Sequence, residues 1–198
     1  MFRLRATFRS LREVDSSVQK MFSAVTLLVL IQATTTSQLG IDIDIGGSLG
    51  NWENLQRCPP ATKARGFIIK VEERLDILEC TAVTAIKLLC AYPNSKKVVA
   101  EISSTEGKWG QWGSPLWCPD GELGAYTLKL EEKQILGGDT VVNNIKFLCT
   151  DKRVLTGNGG TGGKYVSWSV TCKTGICGIR ARRREDGAAL TDVKCECC

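Results

Sequence analysis

Nearly the same sequence is written three times along this chain. Gly47-x-Leu-Gly-x-Trp52, Gly107-x-Trp-Gly-x-Trp112 and Gly163-x-Tyr-Val-x-Trp168 open three segments, and a cysteine follows each (Cys58, Cys118 and Cys172). The segments also close alike, with Thr81–Cys90 matching Thr140–Cys149 and Ala189–Cys197 as a worn third copy. Self-similarity at a near-constant period means one small unit repeated, each too small to bury its apolar face alone. The repeats run over about 46–92, 103–151 and 158–198, and their inward faces are expected to form one shared core.

Within each repeat the apolar period is two rather than 3.6, as in Phe67-Ile-Ile-Lys-Val71 and Tyr126-Thr-Leu-Lys-Leu130. Ile179-Arg-Ala-Arg-Arg183 is the third copy, with Arg183 where the others place Val71 and Leu130. Short alternating runs between Gly, Asn and Asp turns specify an all-β chain. The closing strands place Ile86 and Ile145 three residues after Val83 and Val142, so a bulge or bend is expected between them. Trp52, Trp112 and Trp168 are the expected shared core, since each ring buries on the order of 150–250 Å².

Arg3, Arg5, Arg9, Arg12 and Lys20 precede the apolar run 24–31, and Ala33 follows it. That order reads as a secretory signal within residues 1–33, leaving one domain over 34–198. The run is too short for a membrane span, which takes about 20 residues. Translation starts at Met1 or at Met21. Without residues 1–33 the charge falls from +5 to +2, with 21 basic against 19 acidic side chains, so nothing points to nucleic acid. The tract Arg180-Ala-Arg-Arg-Arg184 is a local exception, read either as a solvated strand face or as a site for an anionic sugar or a processing protease. The chain has no histidine, which excludes triad and imidazole chemistry, and no zinc-type cysteine spacing, so neither metal nor cofactor is expected.

All ten cysteines lie beyond the leader, as suits an oxidising compartment. Equivalent positions pair Cys58 with Cys90 and Cys118 with Cys149. In the third repeat Cys172 and Cys177 face Cys197 and Cys198 in an order that spacing leaves open. The crossed arrangement, Cys172–Cys198 with Cys177–Cys197, is the one expected. Cys80 and Cys195 remain, either bridging the first repeat to the third and closing the ring or standing as free thiols.

With the repeats aligned, Gly107–Trp112, Pro115-Leu-Trp-Cys118 and Leu136–Cys149 resemble the vitelline membrane outer layer protein 1 family, as do Cys172-x4-Cys177-Gly and the ending Cys195-Glu-Cys-Cys198. The resemblance covers about residues 40–198. It departs at Asp76–Cys80, which replaces a Gly-Asp-Asp turn, and at the shortened Glu185-Asp-Gly187. It implies a β-prism of three Greek-key sheets with pseudo-threefold symmetry, disulfide-rich and extracellular, in an egg envelope or mucosal secretion. It also implies a proposed lysozyme-like transfer of N-acetylglucosamine oligosaccharides.

Three roles follow. The first is a structural component of an extracellular coat, with coat proteins or glycans as partners. The second is carbohydrate binding, for which Trp109, Trp117, Asn143 and Asn144 are the candidates: indoles stack on sugar faces and amides bond hydroxyls. Trp109 and Trp117 have no tryptophan counterparts in the other repeats. The third is a glycosyl transferase or hydrolase, which needs two carboxylates about 5–10 Å apart. Glu131 and Asp139 are its candidates, yet Glu72-Glu73 and Glu131-Glu132 recur after equivalent strands, as solvated strand ends do. The coat role, with accessory sugar binding, is the expectation.

Overall fold

A computed structural model describes residues 45–72, 82–132, 140–184 and 189–198. Residues 39–198 form one compact unit; the segment 1–38, which holds the expected leader, lies outside the described residues. The strands are, in order, β1 (Asn51–Trp52), β2 (Gln56–Arg57), β3 (Lys63–Glu72), β4 (Ala82–Ala91), β5 (Ala100–Ser103), β6 (Gln111–Trp112), β7 (Leu116–Trp117), β8 (Leu123–Glu132), β9 (Thr140–Cys149), β10 (Val154–Thr156), β11 (Lys164–Tyr165), β12 (Ile176–Arg183) and β13 (Leu190–Cys197). No helix of the described residues is long and apolar enough to cross a membrane.

Three long antiparallel hairpins, β3–β4, β8–β9 and β12–β13, are the centres of three sheets. Each repeat opens by lending short strands to the sheet before it. The second repeat gives β6 and β7 to β3, the third gives β11 to β8, and the first gives β1 and β2 to β12, the last sheet. Ring closure is therefore a strand exchange between the two ends of the domain.

Disulfides secure each exchange. The Cys58 amide bonds to Cys177 O on the third sheet, while its sulfur bonds Cys90 on the first. Cys118 bonds to Arg65 O on the first sheet and is bridged to Cys149 on the second. Cys172 bonds to Gly124 O on the second sheet and is bridged to Cys197 on the third. These three bridges are threefold equivalents, and Cys177–Cys198 is a local addition. The crossed pairing Cys172–Cys198 with Cys177–Cys197 is thus corrected: the repeat rule that pairs the first two copies extends to the third. Cys195 is a free, buried thiol; Cys80, its expected partner, lies outside the described residues. Cys195 holds the position of Phe147, opposite Ile179 as Phe147 is opposite Tyr126. It is a core side chain, and burial pushes its thiol pKa well up.

The main core cluster is fed by all three hairpins, in layers that repeat around the axis, and Ala82, Val141 and Ala189 form a small second one. Phe67 with Leu88, Tyr126 with Phe147 and Ile179 with Cys195 form one layer, each pair directly cross-strand. Phe67 and Phe147 meet with ring centroids 4.7 Å apart, and Tyr126 lies 6.1 Å from Phe147. The Tyr126 hydroxyl donates to Val193 O at 2.7 Å, tying the second sheet to the third. The small Ile179 and Cys195 leave the room that the two larger pairs fill.

The expected tryptophan core is corrected. Trp52 and Trp112 are half-buried and Trp168 is 42% exposed. Trp52 pairs with Arg182 and Trp112 with Lys70, and directly opposed residues of an antiparallel pair share a face. Those cations point outward, so the indoles do too. Replacing Phe147 by Ala is expected to cost about 3–5 kcal/mol in denaturant unfolding, the range for an emptied aromatic core site. A loss under 1 kcal/mol would show that the three sheets do not share one core.

Candidate functional site

The closing strand of each hairpin carries one extra residue: Thr84, Asn143 and Thr191 fall where the registers slip, after Lys70, Lys129 and Arg182. This is the bulge expected between Val83 and Ile86. Each bulged residue holds a glycine loop over the end of a sheet. The carbonyls of Thr84, Asn143 and Thr191 accept from the amides of Gly107, Gly160 and Gly47. Their side chains bond back to the same loops: Thr84 Oγ1 to Trp109 O at 2.8 Å, Asn143 Nδ2 to Gly162 O at 3.1 Å and Thr191 Oγ1 to Leu49 O at 2.6 Å.

The next residue in each loop is a glycine with positive φ: Gly50 (89°), Gly110 (103°) and Gly163 (79°). A Cβ there would lie 1.8, 2.6 and 2.2 Å from the carbonyls of Arg183, Val71 and Leu130. No L side chain fits that approach. The true third copy of the opening motif is therefore Gly160-Thr-Gly-Gly-Lys-Tyr165, and Tyr165, not Trp168, is the counterpart of Trp52 and Trp112.

These aromatics are seated by cations. Lys87 lies 4.6 Å from the Trp112 ring and Lys146 lies 4.0 Å from Tyr165. Arg180, Arg182 and Lys194 lie 5.2, 4.7 and 4.8 Å from Trp52. Beside Trp112, Lys70 Nζ donates to Glu106 Oε1 and to Gly107 O, both at 3.0 Å. That hydrogen bond is the main cause holding the Glu106 carboxyl below its usual range.

The three corners built this way have diverged. At the first, Val71, Glu72, Trp109, Gly110, Gln111, Trp112, Gly113 and Asn158 line an open cleft of about 410 Å³. At the second, Leu130, Gly163, Lys164 and Val166 stand at equivalent places and, with Gly46 and Thr140, line about 450 Å³. The third carries an ion pair. Arg183 replaces Val71 and Leu130, reaches Glu53 at 3.6 Å where the others have Gly113 and Val166, and donates to Glu106 O at 3.4 Å. The first corner alone has an indole in the slot before the positive-φ glycine. Trp109 is 53% exposed, with Leu49 and Gly162 at its equivalents.

The other candidates go elsewhere. Trp117 stands opposite Gly66 and packs over it, half-buried, with its ring 3.0 Å from where a Cβ would sit. Asn143 and Asn144 are buried. Asn143 Nδ2 donates to Glu131 Oε2 at 2.5 Å as well as to Gly162 O. Asn144 Nδ2 donates to Gly157 O at 3.0 Å, while its Oδ1 accepts from the Ile145 amide. Both serve the loop and are not presented at the surface. Glu131 is the acceptor for Asn143, and Asp139 lies outside the described residues. Among the described residues no cluster of His, Cys, Asp and Glu has the makings of a metal site.

A profile of the family described as Vitelline membrane outer layer protein I (VOMI) matches residues 40–198. The chain belongs to this family. Among curated relatives, a mouse vitelline membrane outer layer protein 1 homolog is 37% identical over 165 residues, covering 80% of this chain and 82% of the relative. The human homolog is 35% identical over 189 residues, covering 87% and 94%. Among solved structures, Calystegia sepium agglutinin aligns with a TM-score of 0.53 at 14% identity, over 78% of this chain and 93% of its own. A mannose-specific jacalin-related lectin from Morus nigra, solved with mannose, aligns at 0.52 and 15% identity, over 83% and 97%. Artocarpin, solved with mannopentose, aligns at 0.51 and 16%, over 80% and 94%. These likenesses establish the β-prism of three sheets expected from the resemblance.

Sequence reasoning missed Gln111 and Asn158 as lining residues. Gln111 is hidden inside the repeat motif, and Asn158 sits in the glycine-rich stretch of the next repeat. Gly110→Ala is expected to destabilise by more than about 1 kcal/mol, because the replaced φ is positive and a carbonyl occupies the Cβ position. Gly124→Ala, whose Cβ would meet nothing closer than 3.3 Å, is the reference for a melting comparison. Equal melting temperatures would contradict the corner geometry.

Proposed function

We propose that the chain is a secreted component of an extracellular coat that binds a neutral saccharide at the first corner. Family membership supports the coat role: relatives carry the name of an egg-envelope layer, and the leader read in residues 1–33 supports secretion. The observation that carries the saccharide reading is the exposed Trp109 indole at the rim of the first cleft. An indole face offers a sugar ring an apolar platform, and Glu72, Gln111 and Asn158 supply acceptors and donors for hydroxyls around it. The platform's backbone is anchored by Thr84, so it is preorganised.

Titration calorimetry with mannopentaose and with chitotetraose tests the reading. The parent is expected to bind at least one, with Trp109→Ala weakening it about tenfold or more, equivalent to about 1.4 kcal/mol. Trp117→Ala is expected to leave affinity within twofold. Millimolar concentrations of both sugars without heat, or a Trp109→Ala variant that binds like the parent, would remove the saccharide role and leave a coat protein alone.

A further inference from the structure

Between two bonded anchors, the glycine loop of the third repeat presents one peptide unit, Asn158-Gly159, beside the first cleft, which Asn158 helps to line. The amides of Gly157 and Gly160 bond to Ile145 O and Asn143 O. The Gly159 amide between them has no acceptor among the described residues, and the carboxamide of the exposed Asn158 has no hydrogen-bond partner there. That carboxamide lies against Gly113, whose Cβ position is 2.6 Å from its Nδ2 and Oδ1. Glycine is imposed at 159, because a Cβ there would stand 2.3 Å from Asn143 O. A side chain on the following residue ordinarily shields its amide nitrogen from the asparagine before it, and here none can be present. The other exposed asparagines, Asn51, Asn54 and Asn94, precede Trp52, Leu55 and Ser95, and the Ser95 amide is committed to Tyr92 O. Asn143 and Asn144 are buried and bonded.

We propose that Asn158 is a site of spontaneous deamidation, which turns a neutral part of the first cleft's lining into an anionic one. The Gly159 nitrogen attacks Asn158 Cγ and forms a new C–N bond. The bond from Cγ to Nδ2 breaks, the proton of the attacking amide passes to the departing nitrogen, and ammonia leaves a succinimide ring behind. Water then opens the ring at either carbonyl, giving aspartate or isoaspartate. The reaction needs no oxidant, metal or enzyme. The product carboxylate lines the same cleft as Glu72, so the cleft gains negative charge as the protein ages. The isoaspartate form also routes the main chain through Cβ, which lengthens the loop between the bonded Gly157 and Gly160. The proposal stands on the loop alone and does not need the saccharide reading of the cleft.

The test is incubation of the folded, oxidised protein in heavy-oxygen water at mildly alkaline pH, where more of the amide is deprotonated. Peptide mass spectrometry then follows the label. Asn158 is expected to convert to labelled aspartate and isoaspartate about tenfold faster or more than Asn51, Asn54 or Asn94, since its neighbour alone lacks a Cβ. An acidic species is expected to accumulate in parallel on ion exchange. Asn158→Gln, whose longer side chain closes a ring far more slowly, is expected to abolish that species. The reduced, unfolded chain gives the rate of the bare Asn-Gly sequence, and the folded rate is expected to lie within about tenfold of it, as for a segment that opens locally. The proposal fails if Asn158 is labelled no faster than Asn54, if folding slows its conversion more than about tenfold, or if the acidic species persists in Asn158→Gln.

Discussion

Every sheet of this domain depends on a strand it does not itself encode. The hairpins β3–β4, β8–β9 and β12–β13 each take short strands from the repeat that follows, and the last takes them from the first. A lone hairpin is marginal in water, so strand donation and the shared apolar interior are what make three such units a domain. The three equivalent disulfides carry the same logic into covalent form, since each joins a lent segment on one sheet to the hairpin of the next. Each closes a loop of about 25–32 residues, worth about 3–4 kcal/mol in the chain-entropy model.

Symmetry of backbone leaves side chains free to diverge, and function is read from the divergence. The bulge residue, the bonded loop and the positive-φ glycine are repeated three times with little change. What varies is the surface they present: a projecting indole over a cleft at one corner, a cleft without it at the second, and an Arg183–Glu53 pair at the third. The outer faces differ likewise, with Arg180 and Arg57 charging the third sheet beyond its counterparts. A coat component needs rigidity, and the repeated backbone supplies it.

Much of this was legible in the chain. Two-residue periodicity, the spacing of Val83 and Ile86, and the first two cysteine pairs all reflect local or repeat-level constraints that sequence states directly. The third repeat was harder because Gly163 and Trp168 mimic the opening motif three residues out of register. The spacing to Cys172 includes one extra residue, so only hydrogen bonding to the bulge reveals Gly160 as the true start. The tryptophans misled for a different reason. Size argues for burial, but an aromatic on a two-residue edge strand follows its cross-strand partner, and those partners are Lys70 and Arg182. Cys195 carried its own clue, since Phe147 fills the equivalent slot and phenylalanine belongs in a core. Asn143 and Asn144 look like surface polar groups in one dimension and become loop anchors once the bulge turns them inward.

Ring closure by the first segment is the claim on which the rest stands, and amide hydrogen exchange tests it most directly. The amides of Glu53 and Cys58 bond to Ala181 O and Cys177 O across the closure, as those of Gly113, Cys118, Val166 and Cys172 bond at the other two junctions. If the ring is closed as described, all six exchange with the slow rate of global unfolding. Fast exchange at Glu53 and Cys58, with the other four slow, would mean that the first segment frays like an ordinary terminus and that the ring is open.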